Sequence, residues 1–427
     1  MRRLWFATIA CVIGLGLIVQ ASIAQANIED ILYEKGQITK EEWLKTKAEH
    51  EKEEAIIQER ATIKKWYDKI SIRGYTQVRY SYITDDKKLV SEYDSSIGNN
   101  TGFLIRRARL IISGDITDWL SIYIQPDFGA TAGTGNNNFA QLRDAYADIF
   151  LTSEKEWRIR AGQSKVPFGF ENQQSSQTRL PFDRSDGINS AVNGERDLGF
   201  FLYYTPAETR KLFRSLVDKG LKGSGDYGVL GIGVYNGQTI NVSERNDDKH
   251  VVLHATYPFE LPYGQIVQVG VDAYRGIVNV STAPGTGVTV PTGNVNMLDE
   301  RVGAHVVLYP QPFGLQAEWN WGRGPELNAA RNAIEEGYLQ GGYVQAMYKW
   351  NDAIPYVRWQ EYNGGKKHRT NSPFNVVREV ELGLEYQFGK ALELTVAYAW
   401  MKRTDTQLAP YAIHDGQLAR FQLQWNY

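Results

Sequence analysis

From Gln417 to Tyr427 the chain alternates polar and apolar side chains without a break: Phe421, Leu423, Trp425 and Tyr427 fall on one face, Arg420, Gln422, Gln424 and Asn426 on the other. That period of two is a β-strand. Its apolar face widens to aromatics. In a soluble sandwich such a strand at an edge is an aggregation hazard unless blunted by charge or proline. In a transmembrane barrel it is a closing strand, with lipid on one side and water in the lumen on the other.

Upstream the alternation recurs from Ile70 in about sixteen stretches, near 70–82, 103–115, 118–128, 139–151, 155–164, 196–205, 226–236, 248–258, 263–275, 297–309, 313–323, 338–350, 353–362, 376–388, 390–401 and 416–427. Each is of spanning length, because roughly nine to eleven tilted residues cross the hydrocarbon. Short connections such as Ile116-Thr117, Pro310-Gln311-Pro312, Asn351-Asp352 and Gly389 alternate with long polar ones at 83–102, 129–138, 165–195, 276–296, 324–337, 363–375 and 402–415. A barrel with one rim of turns and one of loops requires that rhythm. The connection 206–225 departs from it, being long where a turn is due; its stretch Arg210 to Val217 predicts an extra helical turn.

Facing follows from charge, since a midplane Arg or Lys in lipid costs roughly 2–4 kcal/mol. Leu392, Leu394, Val396, Tyr398 and Trp400 take the lipid face of one strand; Leu315, Ala317, Trp319 and Trp321 take that of another, leaving Gln316, Glu318 and Asn320 to the lumen. Trp119, Trp157, Trp350, Tyr386, Phe388 and Trp400 gather near strand ends, as interfacial girdles do.

The N-terminal part differs. Met1 to Ala26 has Arg2 and Arg3, an apolar run from Leu4 to Val19 and an Ala24-Gln25-Ala26 site, and reads as a secretory signal peptide. A retained helical anchor competes with that reading, but Gly14 and Gly16 interrupt a run short for a span. Cys11, the sole cysteine, lies within it. Residues 27–69 are rich in Lys and Glu, and Thr39 with Glu42 forms a capping box for a helix from Lys40 to about Tyr67. Ile56, Ile63 and Ile70 are seven apart, so an oligomerising coiled-coil stalk and a solvated helix both remain open. The expected organisation is a signal peptide at 1–26, a periplasmic helical segment at 27–69 and an all-β transmembrane antiparallel barrel of about 16 strands at 70–427.

Composition narrows the class. The 427 residues include 12% aromatics, 25 Tyr, 11 Trp and 40 Gly, a mixture rich in strand and turn formers. No stretch after the signal approaches eighteen consecutive apolar residues, which excludes a helical membrane protein. A formal net charge of -2 gives no push toward nucleic acid. The six histidines are scattered; His250 and His254 share a strand face but lie too far apart to share a metal ion. Neither a catalytic constellation nor a cofactor motif emerges.

The lumen positions are unevenly charged. Early strands contribute Arg73, Arg79, Arg107, Arg109, Arg158 and Arg160, and the closing strand Arg420; late strands contribute Glu318, Glu379, Glu381, Glu385 and Glu393. A basic wall facing an acidic wall would set up a transverse field favouring charged and polar solutes. Pairing of the arginines with Asp127, Asp144 and Asp148 would instead only keep the wall wet. The longest connection, 165–195, carries Lys165, Phe168, Arg179, Asp183 and Arg184 among prolines and aromatics, which suits a loop folded inward as a constriction.

The succession Phe103 to Leu110 (FLIRRARL), Pro126-Asp127-Phe128-Gly129, Leu142 to Asp148 (LRDAYAD) and Arg160 to Glu171 (RAGQSKVPFGFE), continued by Arg196-Asp197-Leu198-Gly199 and Gly233 to Gly237, resembles the phosphate-selective porin O and P family over roughly 70–427. The resemblance implies a trimeric sixteen-stranded outer-membrane channel whose third outer loop folds inward, with arginines and lysines guiding anions; Arg107, Arg109 and Lys165 fall in matching motifs. Two features depart from the family: few lumen lysines beyond Lys165 and Lys349, and the long 206–225 connection. The terminal aromatic strand also looks like the signal that barrel-assembly machinery reads. The expectation is a passive porin of the bacterial outer membrane for small anionic or polar solutes. A non-selective porin and a structural barrel with a plugged lumen are the alternatives, and a soluble secreted β protein is a third.

Overall fold

A computed structural model describes residues 31–62, 66–84, 101–129, 140–405 and 412–427. The chain forms two units, Met1–Asp68 and Lys69–Tyr427. In the first, helix α1 (Lys40–Thr62) begins at a reciprocal cap: the Glu42 amide donates to Thr39 Oγ1 at 3.3 Å and the Thr39 amide to Glu42 Oε2 at 2.8 Å. The helix ends short of Tyr67, and a single 3-10 turn occupies Trp66–Lys69. The expected signal segment with Cys11, and the side chains of Ile56 and Ile63, lie outside the described residues.

The second unit is a closed ring of sixteen strands: β1 (Ile70–Thr84), β2 (Gly102–Asp115), β3 (Leu120–Asp127), β4 (Gln141–Phe150), β5 (Trp157–Lys165), β6 (Arg196–Tyr204), β7 (Leu230–Tyr235), β8 (His250–Glu260), β9 (Ile266–Thr282), β10 (Gly293–Leu308), β11 (Phe313–Leu327), β12 (Ile334–Tyr348), β13 (Ala353–Gly365), β14 (Phe374–Phe388), β15 (Leu392–Asp405) and β16 (Ala412–Asn426). Every strand pairs antiparallel with its sequence neighbours, and β1 closes on β16. With no water in a bilayer core, closure is how a sheet satisfies all its backbone donors and acceptors.

Differences from the alternation pattern have identifiable causes. β9 and β10 run on to the pair Thr282↔Gly293, and β11 and β12 to Leu327↔Ile334, well beyond the expected limits. There Asn279 bonds Asn296 and Ser281 bonds Asn294 across the exposed ladder. Val278 and Val280 are buried on one face of the β9 extension, an alternation the expected limits missed, while cross-strand hydrogen bonds sustain its polar face. β7 is shorter than expected because Asp226 caps the preceding turn, accepting from the Gly228 amide at 3.0 Å.

The alternation does set the facing. On β15, Glu393, Thr395, Ala397 and Ala399 are buried inward while Leu392, Leu394, Val396 and Tyr398 point out. The girdle residues Trp119, Trp157, Trp350, Tyr386, Phe388 and Trp400 are all exposed on the outer surface. At the seam the Gly74 amide donates to Tyr427 O at 2.6 Å and the Tyr427 amide to Gly74 O at 3.0 Å. A Cβ on Gly74 would lie 2.3 Å from Arg109 O and 2.4 Å from the Tyr427 ring, so this close approach requires glycine. Gly74→Val should destabilise closure by about 1–3 kcal/mol. A lower melting point of the folded, heat-modifiable band on gels checks it, and an unchanged one refutes it.

Candidate functional site: a charged lumen narrowed by two inserts

After β5 the chain turns into the barrel. Residues 166–195 form an inward loop with two short helices, α2 (Phe170–Gln173) and α3 (Asp186–Ala191). Its first anchor is hydrophobic: Val166, Phe168, Ala191 and Val192 bury against Phe201, Tyr203, Tyr235, Val252 and Tyr274 from β6 to β9. Phe168 meets Tyr274 edge-on, with centroids 4.9 Å apart. Beyond that apolar sector the loop crosses to later strands by polar contacts. The Gly169 amide donates to Asp272 (3.1 Å), that of Glu171 to Glu318 (2.9 Å) and that of Asp186 to Gln360 (2.8 Å). Gly187 lies on the backbone of β12, where a Cβ would sit 2.5 Å from Gly341 C and 2.6 Å from Gly342 N.

A second insert enters from the rim of turns. The predicted extra turn in 206–225 is a three-turn helix, α4 (Ala207–Asp218), which buries Thr209, Phe213 and Leu216. Phe213, Leu216 and Leu221 pack with Phe170, Ile266, Val307 and Tyr309. The chain then reaches across the lumen, and Lys222 Nζ pairs with Glu385 of β14 at 2.5 Å. Gln174 Nε2 donates to Lys222 O at 2.5 Å, so the two inserts touch.

The predicted basic residues all reach the lumen, largely in partnership. Arg109 pairs with Asp127 (2.7 Å), Arg160 with Asp148 (2.8 Å) and Arg158 with Asp226 (2.7 Å). Arg79 and Arg420 bind Asp183, at 2.6 and 3.1 Å, and Arg107 lies 3.5 Å from it. Lys165 donates to the carbonyls of Gln173 (3.2 Å) and Gln174 (2.5 Å), tying the loop back on itself. Arg184 lies 3.5 Å from Glu195. Arg73 is exposed and Arg179 buried, and neither has an ion pair among the described residues.

On the acidic side, Glu381 binds Arg420 (2.6 Å) and Glu385 binds Lys222, while Glu379 lies 3.9 Å from Arg403. Glu318 receives a loop amide, and Glu393 is buried beside these strands. Cations stand on the late strands too: Arg358 meets Glu171 at 3.2 Å and Arg403 meets Asp186 at 3.2 Å, so those two loop carboxylates bind the far wall. Neither was among the expected lumen charges: Arg403 falls in the stretch 402–415 expected to be a connection, which β15 instead enters as far as Asp405, and Arg358 alternates with Gln360 on β13.

Two further arginines escaped the alternation. The β1–β2 register shifts between Gln77 and Val78, whose partners are Arg107 and Ile105; Arg106 is the bulged residue between them and reaches Asp183 at 3.4 Å. The β3–β4 register shifts between Gln125 and Pro126, opposite Asp144 and Leu142, so Arg143 is bulged and donates to Gly194 O at 3.0 Å. A bulge re-aims a side chain that period two would send outward. The doublets Arg106-Arg107 and Arg143-Asp144 were the available sign, since a regular strand would put one charge of each in lipid.

Between the inserts and β1–β6 lies a cavity of about 310 Å³. Five cationic side chains line it, Arg73, Arg109, Arg160, Lys165 and Arg196, against two carboxylates, Asp144 and Asp226. Tyr123 and Tyr146 stack on its wall at 5.2 Å, and the Arg160 guanidinium lies 3.9 Å over the Tyr146 ring. Among the described residues no three His, Cys, Asp or Glu side chains gather as a metal site.

A closed sixteen-stranded barrel with an apolar outer band, aromatic girdles and a charged, loop-narrowed lumen is a porin of the outer membrane, a passive channel. The profile of the phosphate-selective porin O and P family matches residues 77–427, and the chain belongs to that family. Among solved structures it is similar to the outer membrane channel DcaP of Acinetobacter baumannii (14% identity, 84% of this chain and 97% of that one, TM-score 0.52). The anion-selective porin from Comamonas acidovorans aligns at 12% identity over 84% and 99% of the two chains, TM-score 0.51. OmpT of Vibrio cholerae in its trimer form aligns at 9% identity over 84% and 99%, TM-score 0.50. No curated protein matches the chain.

Because the loop lies on bare backbone at Gly187, Gly187→Val should lift it from β12. Single-channel conductance should then change by about twofold or more while the barrel still folds, since one misplaced loop alters the narrowest cross-section. Identical conductance would show that the contact does not set the aperture.

Proposed function

We propose that the channel passes small anionic and polar solutes by diffusion, with the arginine-rich sector of β1–β6 favouring anions. The observation that carries this is the cavity beneath the inward loop, lined by five cationic side chains and two carboxylates, with Asp127, Asp148 and Glu195 partnering Arg109, Arg160 and Arg196 from behind its lining. Confined fields of one sign raise the local concentration of counter-ions by about tenfold or more. Arg73 and Arg179, which have no ion pair among the described residues, add positive charge to the lumen. Arg107, Arg109, Arg158, Arg160 and Lys165 act with their partners as a polar track. Few lysines join them, so oxyanions in general fit this lumen better than a dedicated phosphate ladder. The chain works as a homotrimer, for which OmpT in its trimer form is the support. It is exported through cleavage after Ala26, inserted by barrel-assembly machinery through β16, and carries residues 27–69 in the periplasm.

The contact between the two inserts favours one second reading, a barrel whose lumen is plugged. Planar-bilayer recording under a KCl gradient separates the two. Anion-biased reversal, reduced about tenfold in permeability ratio by Arg73→Gln with Arg179→Gln, is the expected result. Open but unbiased conductance would leave a general porin, and absent conductance from folded protein would leave the plug.

A further inference from the structure

A turn would suffice to join β6 to β7, yet residues 205–229 cross the full width of the ring. Helix α4 ends in a Schellman turn: Gly220 takes φ 64°, its amide donates to Val217 O at 2.9 Å, and the Leu221 amide reaches back to Leu216 O at 2.9 Å. Glycine at that position turns the chain off the helix axis. Leu216 and Leu221 stay buried together against Ile266, Val307 and Tyr309. Lys349, in the turn after β12, donates from Nζ to Lys219 O at 2.6 Å. Lys222 then meets Glu385 of β14, the strand eight places from β6 in the ring of sixteen and so directly opposite. Both side chains are buried, and Lys222 holds a left-handed φ of 65°, a strained backbone for lysine that persists only where its surroundings enforce it. From there the chain returns: Asp226 pairs with Arg158 of β5 at 2.7 Å and with Arg210 of α4 at 3.2 Å.

The insert therefore divides the lumen near the rim of turns. On one side, Ser224 to Tyr227 border the arginine-lined cavity of about 310 Å³. On the other, α4 and Lys219 lie along the wall from β9 to the turn after β12, and the tip reaches Glu385, with Glu393 diagonal to it on β15. We infer that this insert is a half-lid on the turn-side mouth, latched by Lys222 on Glu385, which confines solutes to the arginine-bearing half and keeps them off the carboxylates of the late strands. Lys222 is thereby a specificity-determining residue of the channel. Its single charge closes one passage and also neutralises the carboxylate that would draw cations into that passage. Gln387 Nε2 donates to the same Glu385 oxygen at 2.9 Å, so the acceptor is oriented by its own strand. The inference rests on the anion-passage reading above and adds which half of the lumen carries the solute and what shuts the other.

Planar-bilayer recording of Lys222→Met beside wild type tests it. Single-channel conductance should rise about twofold or more as the second passage opens. The chloride-to-potassium permeability ratio should fall roughly threefold or more, because Glu385 and Glu393 line the new passage. Glu385→Gln breaks the same latch without baring that carboxylate, so it should raise conductance alike and lose less of the anion preference. The only cysteine of the chain is Cys11, within the expected signal segment, so Lys222→Cys offers a single thiol in the mature protein. A cationic aminoethyl methanethiosulfonate, which rebuilds a lysine-like side chain there, should return both readouts toward wild type, and the anionic sulfonatoethyl reagent should not. Should Lys222→Met fail to give the heat-modifiable folded band, Lys222→Met with Glu385→Gln, which removes both charges of the pair, carries the conductance readout. Conductance and reversal potential of folded Lys222→Met that superimpose on wild type would overturn the half-lid while leaving anion passage intact. A wild type without anion bias, or without conductance, removes the reading above, and whether Lys222→Met raises conductance still decides the half-lid.

Discussion

A backbone that crosses hydrocarbon can leave no N–H or C=O unpaired, and the rest of this structure depends on that constraint. It forces β16 back onto β1, with Gly74 and Tyr427 bonded at the seam. Once the ring is closed, polar side chains on spanning residues have one place to go. The lumen therefore collects arginine, aspartate and glutamate side chains in close quarters, and most of the arginines described above find an acid within ion-pair distance. The charge arrangement follows from the wall before it serves any solute.

The interior is also divided. From β6 to β10 the lumen wall carries apolar and aromatic clusters among its polar residues, and both inserts dock on them: Phe168 and Phe170 from the loop, Phe213 and Leu216 from α4. Burying a side chain of that size is worth roughly 1.5–3 kcal/mol each, so the inserts are held by ordinary core packing inside a membrane channel. Their far ends are held by charge instead: Asp183, Asp186 and Lys222 reach opposite sectors of the ring. Hydrophobic anchoring fixes where each insert begins, and ion pairs decide how far it extends across the aperture.

The wall was legible in the sequence, and the reasons are physical. A spanning strand must alternate because its faces meet different solvents, so residues such as Leu392 to Trp400 declare both strand and facing. The outer ladders of β9 to β12 were missed although Val278 and Val280 continue the alternation of β9, because the polar, Gly- and Pro-containing residues that follow read as loop. The inward course of 165–195 could be expected from its prolines and aromatics, but not its partners, because contacts such as Asp183 with Arg420 join residues far apart along the chain. The length of α4 was underestimated because its apolar face packs on a lumen wall that only the closed ring assembles.

Arg106 and Arg143 each occupy the extra position of a bulge. In a regular strand the choice between lumen and lipid is tied to every other residue of that strand, so a new inward charge must replace an existing inward side chain. At a bulge the tie is cut locally: gaining or losing a single residue adds or subtracts one arginine while the strand beyond keeps its register. Length variation in β2 and β4 is therefore a route by which the electrostatics of such a pore can diverge among descendants, one that substitution matrices, which compare residues position by position, do not register.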